Sequence, residues 1–188
     1  MVRLKIILAS TRPGRKGPVV AGWIHNLAKK NKNFKVELID LKEVNLPFHD
    51  EPEMPVKQDY KHAHTKKWSK IINSADAFII VSPEYNHGYS APLKNALDYL
   101  FKEWNYKPVS FVSYGGVAGG TRAAQMLVQV VTALKMMPLT ESVHIPQFAK
   151  YIKSDVFEAD EYMEKTAQEM LKELIKWAEG LKKLRAEK

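Results

Sequence analysis

The chain has 188 residues, 45% of them hydrophobic and 27% charged, which is enough for one domain, spanning residues 1–188, with a sizeable core. It has no cysteine, which excludes disulfides, thiolate metal sites and thiol redox chemistry, so any electron transfer needs a cofactor. The formal charge is +8, but the lysines are dispersed and no basic stripe is interleaved with aromatic residues, so the charge reads as solvated surface and no nucleic-acid partner is expected.

In chain order, Val2 to Ala9 is an apolar, β-branched run that suits a first strand. Pro18 opens a helix with Val19, Val20, Trp23, Ile24, Leu27 and Ala28 at helical spacing. Phe34 to Asp40 is a second strand, and Leu41 to Gln58 reads as loop. Tyr60 to Ser74 is a helix burying Trp68, Ile71 and Ile72. Ala77 to Ser82, almost continuously apolar, is a third strand buried on both faces. Ser90 can cap the next helix, with Pro92 in its first turn and an apolar face of Leu93, Ala96, Leu97 and Leu100.

Val109 to Tyr114 is the fourth strand, and Thr121 to Lys135 a helix with Ala124, Leu127, Val128, Val131 and Leu134 on one side. Thr140 to Ile145 is expected as a shorter fifth strand, and Asp160 to Leu184 as the last helix. Strands alternating with helices predict an α/β fold, a five-stranded parallel sheet with helices on both faces. Ligands of such sheets bind beyond the carboxyl ends of the strands, where the strand order reverses. No apolar run approaches the ~20 residues of a membrane span, and Met1 to Ser10 is too short for a signal peptide, so a cytoplasmic protein without membrane association is expected.

The loops after strands one, three and four are the unusual ones. The first, Ser10 to Pro18, joins a strand to a helix and offers hydroxyls, Arg12, Arg15, Lys16 and two glycines, the chemistry of a phosphate cradle. It is neither a Walker A loop nor a dinucleotide fingerprint. The second, Ser82 to Ser90, combines Pro83, Glu84, Tyr85, Asn86, His87 and Gly88, which suits a flat heterocycle with polar edges. The third, Ser113 to Gly120, holds four of the nine glycines and allows close approach of backbone N–H groups to a ring edge. Each is also readable as an ordinary turn. His62 and His64 are two apart and are expected to point to different faces, and His144 has no ligand spacing around it.

Together, Ser10-Thr11-Arg12 with Gly14-Arg15, the run Pro83 to Gly88, Leu93 to Asp98, and Ser113-Tyr114-Gly115-Gly116 resemble the NADPH-dependent FMN reductase family. The resemblance implies a flavodoxin-like three-layer sandwich, FMN as cofactor and NADPH or NADH as electron donor. It implies that Ser10 and Arg12, with the N–H groups near Gly17, Pro18 and Val19, hold the FMN phosphate. Arg15 and Gly17 stand where many relatives have serine and asparagine. Pro83, Glu84, Tyr85 and Asn86 would line the isoalloxazine with His87 and Gly88 nearby, and Ser113, Tyr114, Gly115 and Gly116 would meet its other edge.

Hydride would pass from the nicotinamide to flavin N5 and on to a small-molecule acceptor, a flavin, quinone, azo compound or metal ion. Backbone N–H groups would stabilise charge near N1 and O2, and no catalytic side chain and no bound metal are required. A homodimer or homotetramer is implied, with the helix from Ala91 to Phe101 and the segment Trp104 to Tyr106 as contact surfaces; a monomer with these aromatics in its own core is the alternative. The competing class is a flavodoxin-type electron carrier, which the +8 charge disfavours.

Overall fold

A computed structural model describes residues 1–186. Strand β1 spans Val2–Leu8, β2 Phe34–Asp40, β3 Ala77–Pro83 and β4 Pro108–Tyr114, and these pair in parallel. Two short strands, β5 (Met137–Pro138) and β6 (Val143–Ile145), both pair with β4, giving the order β2-β1-β3-β4-β5 with β6 beside β4. The order reverses between β1 and β3, so loops after β1 and β3 diverge around one crevice.

The helices are α1 (Gly17–Lys29), the single turn α2 (Leu41–Val44), α3 (Ala63–Asn73), α4 (Ala91–Asp98), α5 (Thr121–Ala133) and α6 (Glu161–Ala186). Helices α1 and α6 cover one face of the sheet, packing on Leu4, Ile6, Leu8, Ile79, Val81 and Val112. Helices α3, α4 and α5 cover the other, on Ile7, Phe78, Ile80, Val109 and Phe111. Strand β3 is buried at every position, as a strand between two helical layers must be. Each large apolar side chain buried here contributes roughly 1.5–3 kcal/mol. No helix among the described residues is long and apolar enough to cross a membrane.

Several expectations need correction. The fifth strand is split: β5 pairs with the start of β4 and β6 with its end. Between them Ser142 Oγ accepts the Phe111 N–H at 3.4 Å, so the gap is bridged by a side chain. An antiparallel hairpin, β7 (Ile152–Lys153) and β8 (Val156–Phe157), was not anticipated. Its Ser154-Asp155 tip has φ of 47° and 57°, the left-handed pair of a tight two-residue turn.

Val128 is exposed, because the buried stripe of α5 runs through Ala123, Ala124, Leu127 and Val131. Trp104 is fully buried: its indole donates to Leu97 O at 3.2 Å and its ring packs on Trp68 and Phe78, so it belongs to this chain's own core and not to a contact surface. Tyr99, within the helix segment expected as a surface, is also buried. His62 precedes α3 in extended backbone while His64 lies within it, and so the two rings stack 5.2 Å apart rather than diverging.

Candidate functional site

Loops β1–α1, β3–α4 and β4–α5 meet at the carboxyl end of the sheet. Ser10, just beyond β1, is fully buried, and its hydroxyl, a neighbour of the Tyr114 hydroxyl, makes no hydrogen bond of normal geometry among the described residues. An orphaned buried hydroxyl costs free energy unless a ligand satisfies it. Gly17, the first residue of α1, packs against the same spot. A Cβ there would lie 2.5 Å from Tyr114 Oη and 2.8 Å from Leu8 Cδ1, and would also collide with Ser10 Oγ. Burial pushes the Tyr114 hydroxyl up to about 12, so it stays protonated.

Helix α1 starts with no side-chain cap and no acidic residue in its first turn, which leaves its positive end uncompensated. The Val19 N–H is used by Lys16 O at 3.1 Å, and Pro18 has none to offer. Arg12 is exposed and has no acidic partner among the described residues. Lys16 pairs with Asp155 at 2.8 Å, between two exposed side chains. Arg15 is committed elsewhere. Its guanidinium forks onto both Asp40 oxygens, with Nη1 2.6 Å from Oδ1, and also donates to the Ser10 carbonyl. The Asp40 hydrogen bond raises its pKa. Arg15 thus braces the loop from behind, joining the end of β2 to the backbone of Ser10.

The loop after β3 is a closed two-residue turn. Tyr85 N–H donates to Gly88 O at 2.8 Å and Gly88 N–H returns to Tyr85 O at 2.9 Å. Asn86 and His87 at its tip have φ of 49° and 70°. Such a turn normally carries glycine at its second central position, so His87 holds a strained conformation. The turn consumes the Gly88 N–H but leaves those of Asn86 and His87 without a backbone partner among the described residues.

Glu84 faces away from the turn. Its carboxylate accepts the Arg122 N–H at 3.1 Å and the Arg122 guanidinium at 2.8 Å, and so caps α5. Burial would raise its pKa, but the Arg122 hydrogen bond and the α5 backbone donors together leave it lowered. Ser90 stands at the N-cap of α4, yet its hydroxyl donates to Ala9 O at 2.8 Å; it staples the first loop to the second rather than capping the helix.

The glycine loop is held from below. Gly115 N–H donates to Ile145 O at 3.2 Å, and the N–H groups of Gln147 and Phe148 donate to Gly116 O and Gly115 O. Gly119 and Gly120 have φ of 61° and 84°. The Ser113 hydroxyl is buried under the loop, donating to Gly119 O at 2.9 Å with His144 Nδ1 2.7 Å away. A cleft of about 140 Å³ is lined by Arg12, Arg15, Lys16, Pro83, Glu84, Tyr85, Tyr114, Gly115, Gly116 and Phe148. A larger cavity of about 500 Å³ lies beyond Thr11, between Leu41–Phe48 and the start of α4.

The profile of the family described as NADPH-dependent FMN reductase matches residues 2–150. The chain belongs to that family. It is 44% identical over 136 residues to an NAD(P)H-dependent FMN reductase of Schizosaccharomyces pombe, covering 71% of this chain and 68% of that one. It is 36% identical over 165 residues to an NAD(P)H-dependent FMN reductase of a Nectria species, covering 85% and 81%. Among solved structures it is similar to a flavoenzyme NAD(P)H:(acceptor) oxidoreductase from Paracoccus denitrificans, with a TM-score of 0.76 and 20% identity over 96% of this chain and 98% of that one, which supports the fold.

For a member of this FMN reductase family, the donor set fits a flavin nucleotide: an orphaned hydroxyl, an uncapped helix start, a free arginine, and turn N–H groups without backbone partners. Four contributors were not anticipated. Asp40 and Arg122 are partners of foreseen residues, but lie 25 and 38 positions away in sequence. Phe148 packs on Tyr114 with ring centroids 5.0 Å apart, and His144 reaches Ser113 through the parallel β4–β6 pairing. No local motif marks any of them.

Proposed function

We propose that this chain binds FMN at the junction of the three loops and works as an NAD(P)H-dependent oxidoreductase. The observation that carries the proposal is the buried Ser10 hydroxyl, which has only the Tyr114 hydroxyl beside it and makes no hydrogen bond of normal geometry among the described residues, at the foot of an uncapped helix. Bound FMN would supply the redox chemistry, taking a hydride from the nicotinamide and returning electrons to a small-molecule acceptor such as a flavin, quinone or azo compound.

The protein's own part is binding and orientation. Ser10, Arg12 and the start of α1 would hold the phosphate, while Arg15 keeps the Ser10 peptide in place through Asp40. The 140 Å³ cleft runs between Arg12 and Lys16 on the phosphate side and Tyr85, Gly115 and Gly116 on the ring side, and is smaller than the ~300 Å³ of a typical whole-ligand pocket, so it would take only part of the flavin nucleotide. The rings would rest on the exposed turn of Tyr85, Asn86 and His87 and against Gly115 and Gly116, where backbone N–H groups are well placed to stabilise negative charge. No side chain has to exchange a proton in the hydride step.

Oligomerisation is part of the same reading. Tyr85 on the turn, Val117 in the glycine loop and Met126 on α5 leave large apolar side chains exposed, and a second copy of the chain in a homodimer would cover them. Light scattering reads that state directly. A cytoplasmic location belongs to the same proposal.

The visible spectrum of the purified protein tests the function, first with added FMN and then with NADPH under anaerobic conditions. A bound-flavin band that NADPH bleaches rapidly supports a reductase. A band that NADPH leaves intact points to the electron-carrier reading. No binding at micromolar FMN removes both.

A further inference from the structure

His144 lies next to the site, and the reading above gives it no part. Strand β6 pairs with β4 in a register that puts His144 opposite Ser113. Val143 and Ile145 are buried on the α1 and α6 face, so His144 is turned to the other face, toward the start of α5. The residue is exposed as a whole, yet its Nδ1 lies 2.7 Å from the hydroxyl of Ser113, which is fully buried.

A serine hydroxyl has one proton to give. The geometry commits that proton to Gly119 O at 2.9 Å. Ser113 Oγ then accepts from His144, which assigns the ring proton to Nδ1. Burial alone lowers the His144 pKa, in keeping with a neutral ring.

The Gly119 peptide is an expensive one to hold. Gly119 and Gly120 are consecutive left-handed residues. A Cβ on Gly119 would lie 2.8 Å from Pro146 N, and one on Gly120 would lie 2.6 Å from Ser113 Cβ. The first half of the loop is tied down by backbone hydrogen bonds to residues 145–148. The second half has short-range turn bonds, from Gly119 N–H to Gly116 O and from Thr121 N–H to Ala118 O, and is tied to the sheet at the Gly119 carbonyl by the Ser113 hydroxyl.

We propose that His144 is a positioning residue for the flavin site: acting through Ser113, it holds the Gly119 peptide and with it the glycine loop in the shape that receives the ring edge. The proposal rests on the FMN reading above. It requires no contact between His144 and the ligand, and no change in its protonation during turnover.

The test measures the FMN dissociation constant of the flavin-free protein by fluorescence quenching, for wild type, H144L, H144N and S113A. Loss of one neutral hydrogen bond should weaken FMN binding roughly fivefold to tenfold in H144L and S113A. H144N places an amide donor close to the position of Nδ1 and should return to within about twofold of wild type. The double variant should bind no more weakly than S113A alone, as expected when two residues act through one contact.

Imidazole ¹⁵N resonances of the flavin-free wild type should show the proton on Nδ1, a readout that survives even if a variant fails to fold. Wild-type affinity in H144L, no rescue by H144N, or a proton on Nε2 would each overturn the proposal. Failure of the wild type to bind FMN would instead remove the flavin reading, and the proposal with it.

Discussion

Glu84 and Arg122 form a clamp between two loops of the site: the Glu84 carboxylate takes the Arg122 backbone N–H at 3.1 Å and its guanidinium at 2.8 Å. The strand-end loop that carries the Tyr85–Gly88 turn is therefore also the N-terminal cap of α5. Replacing Glu84 with Gln keeps the shape but removes the charge that faces the helix dipole. The expected loss is about 1 kcal/mol of stability, with weaker FMN binding. Urea denaturation and a flavin titration of Glu84→Gln read both. The ion pair is partly solvent-facing through Arg122, so most of the loss is assigned to the cap.

Gly17→Ala inserts a methyl group where Tyr114 Oη, Leu8 Cδ1 and Ser10 Oγ already meet. Backbone φ is not the obstacle there; space is. Overpacking of this kind costs roughly 1–3 kcal/mol. The helix start should shift, and FMN affinity should fall by more than tenfold while the far-UV dichroism changes little.

Ser10→Ala separates stability from binding. The hydroxyl is buried and makes no hydrogen bond of normal geometry beside its contact with Tyr114, so its removal should leave the flavin-free protein about as stable as wild type. The same change should weaken FMN binding about tenfold, as for a hydrogen bond to a charged phosphate. Equal losses of stability and affinity would show that the hydroxyl has another partner.

Lys107 sets a pH dependence remote from the site. It is 3% exposed, donates to Ile72 O at 2.9 Å and Asn73 O at 3.1 Å, and burial pushes its pKa from 10.5 down to about 7. Between those two values the unfolded chain carries a proton that the folded chain does not. Stability from this group therefore rises with pH from about 7 toward 10.5, and below about 7 it adds no further dependence. The stability of wild type relative to Lys107→Met should rise by roughly 1–3 kcal/mol between pH 7 and 9.5, measured as paired urea midpoints.

The fold and the three loops were legible because their signals are local. Helical spacing marks α1 and α4, the unbroken apolar run marks β3, and glycine density marks the loop after β4. Most of the failures are non-local or too short to carry a period. Arg15 sits in a phosphate-like loop, and nothing near it in sequence announces that Asp40, at the end of another strand, claims its guanidinium. Trp104 reads equally well as surface or core until α3 and β3 are placed against it. The β7–β8 hairpin has two-residue strands around a Ser-Asp turn, so neither alternation nor an Asn-Gly signal was present.

The split between β5 and β6 bears on how the protein avoids its own kind. An open parallel sheet ends in two edges, and each is a template on which another chain can add a strand. At one edge β2 carries exposed Lys35 and Glu37, which resist docking of an uncharged strand. At the other, the break at residues 139–142 leaves runs of two and three paired residues, too short to nucleate a foreign strand. Joining them into one continuous strand would lengthen the ladder on β4 and at the same time open a route to edge-to-edge aggregation. The interruption keeps that flank of the sheet closed to strand exchange.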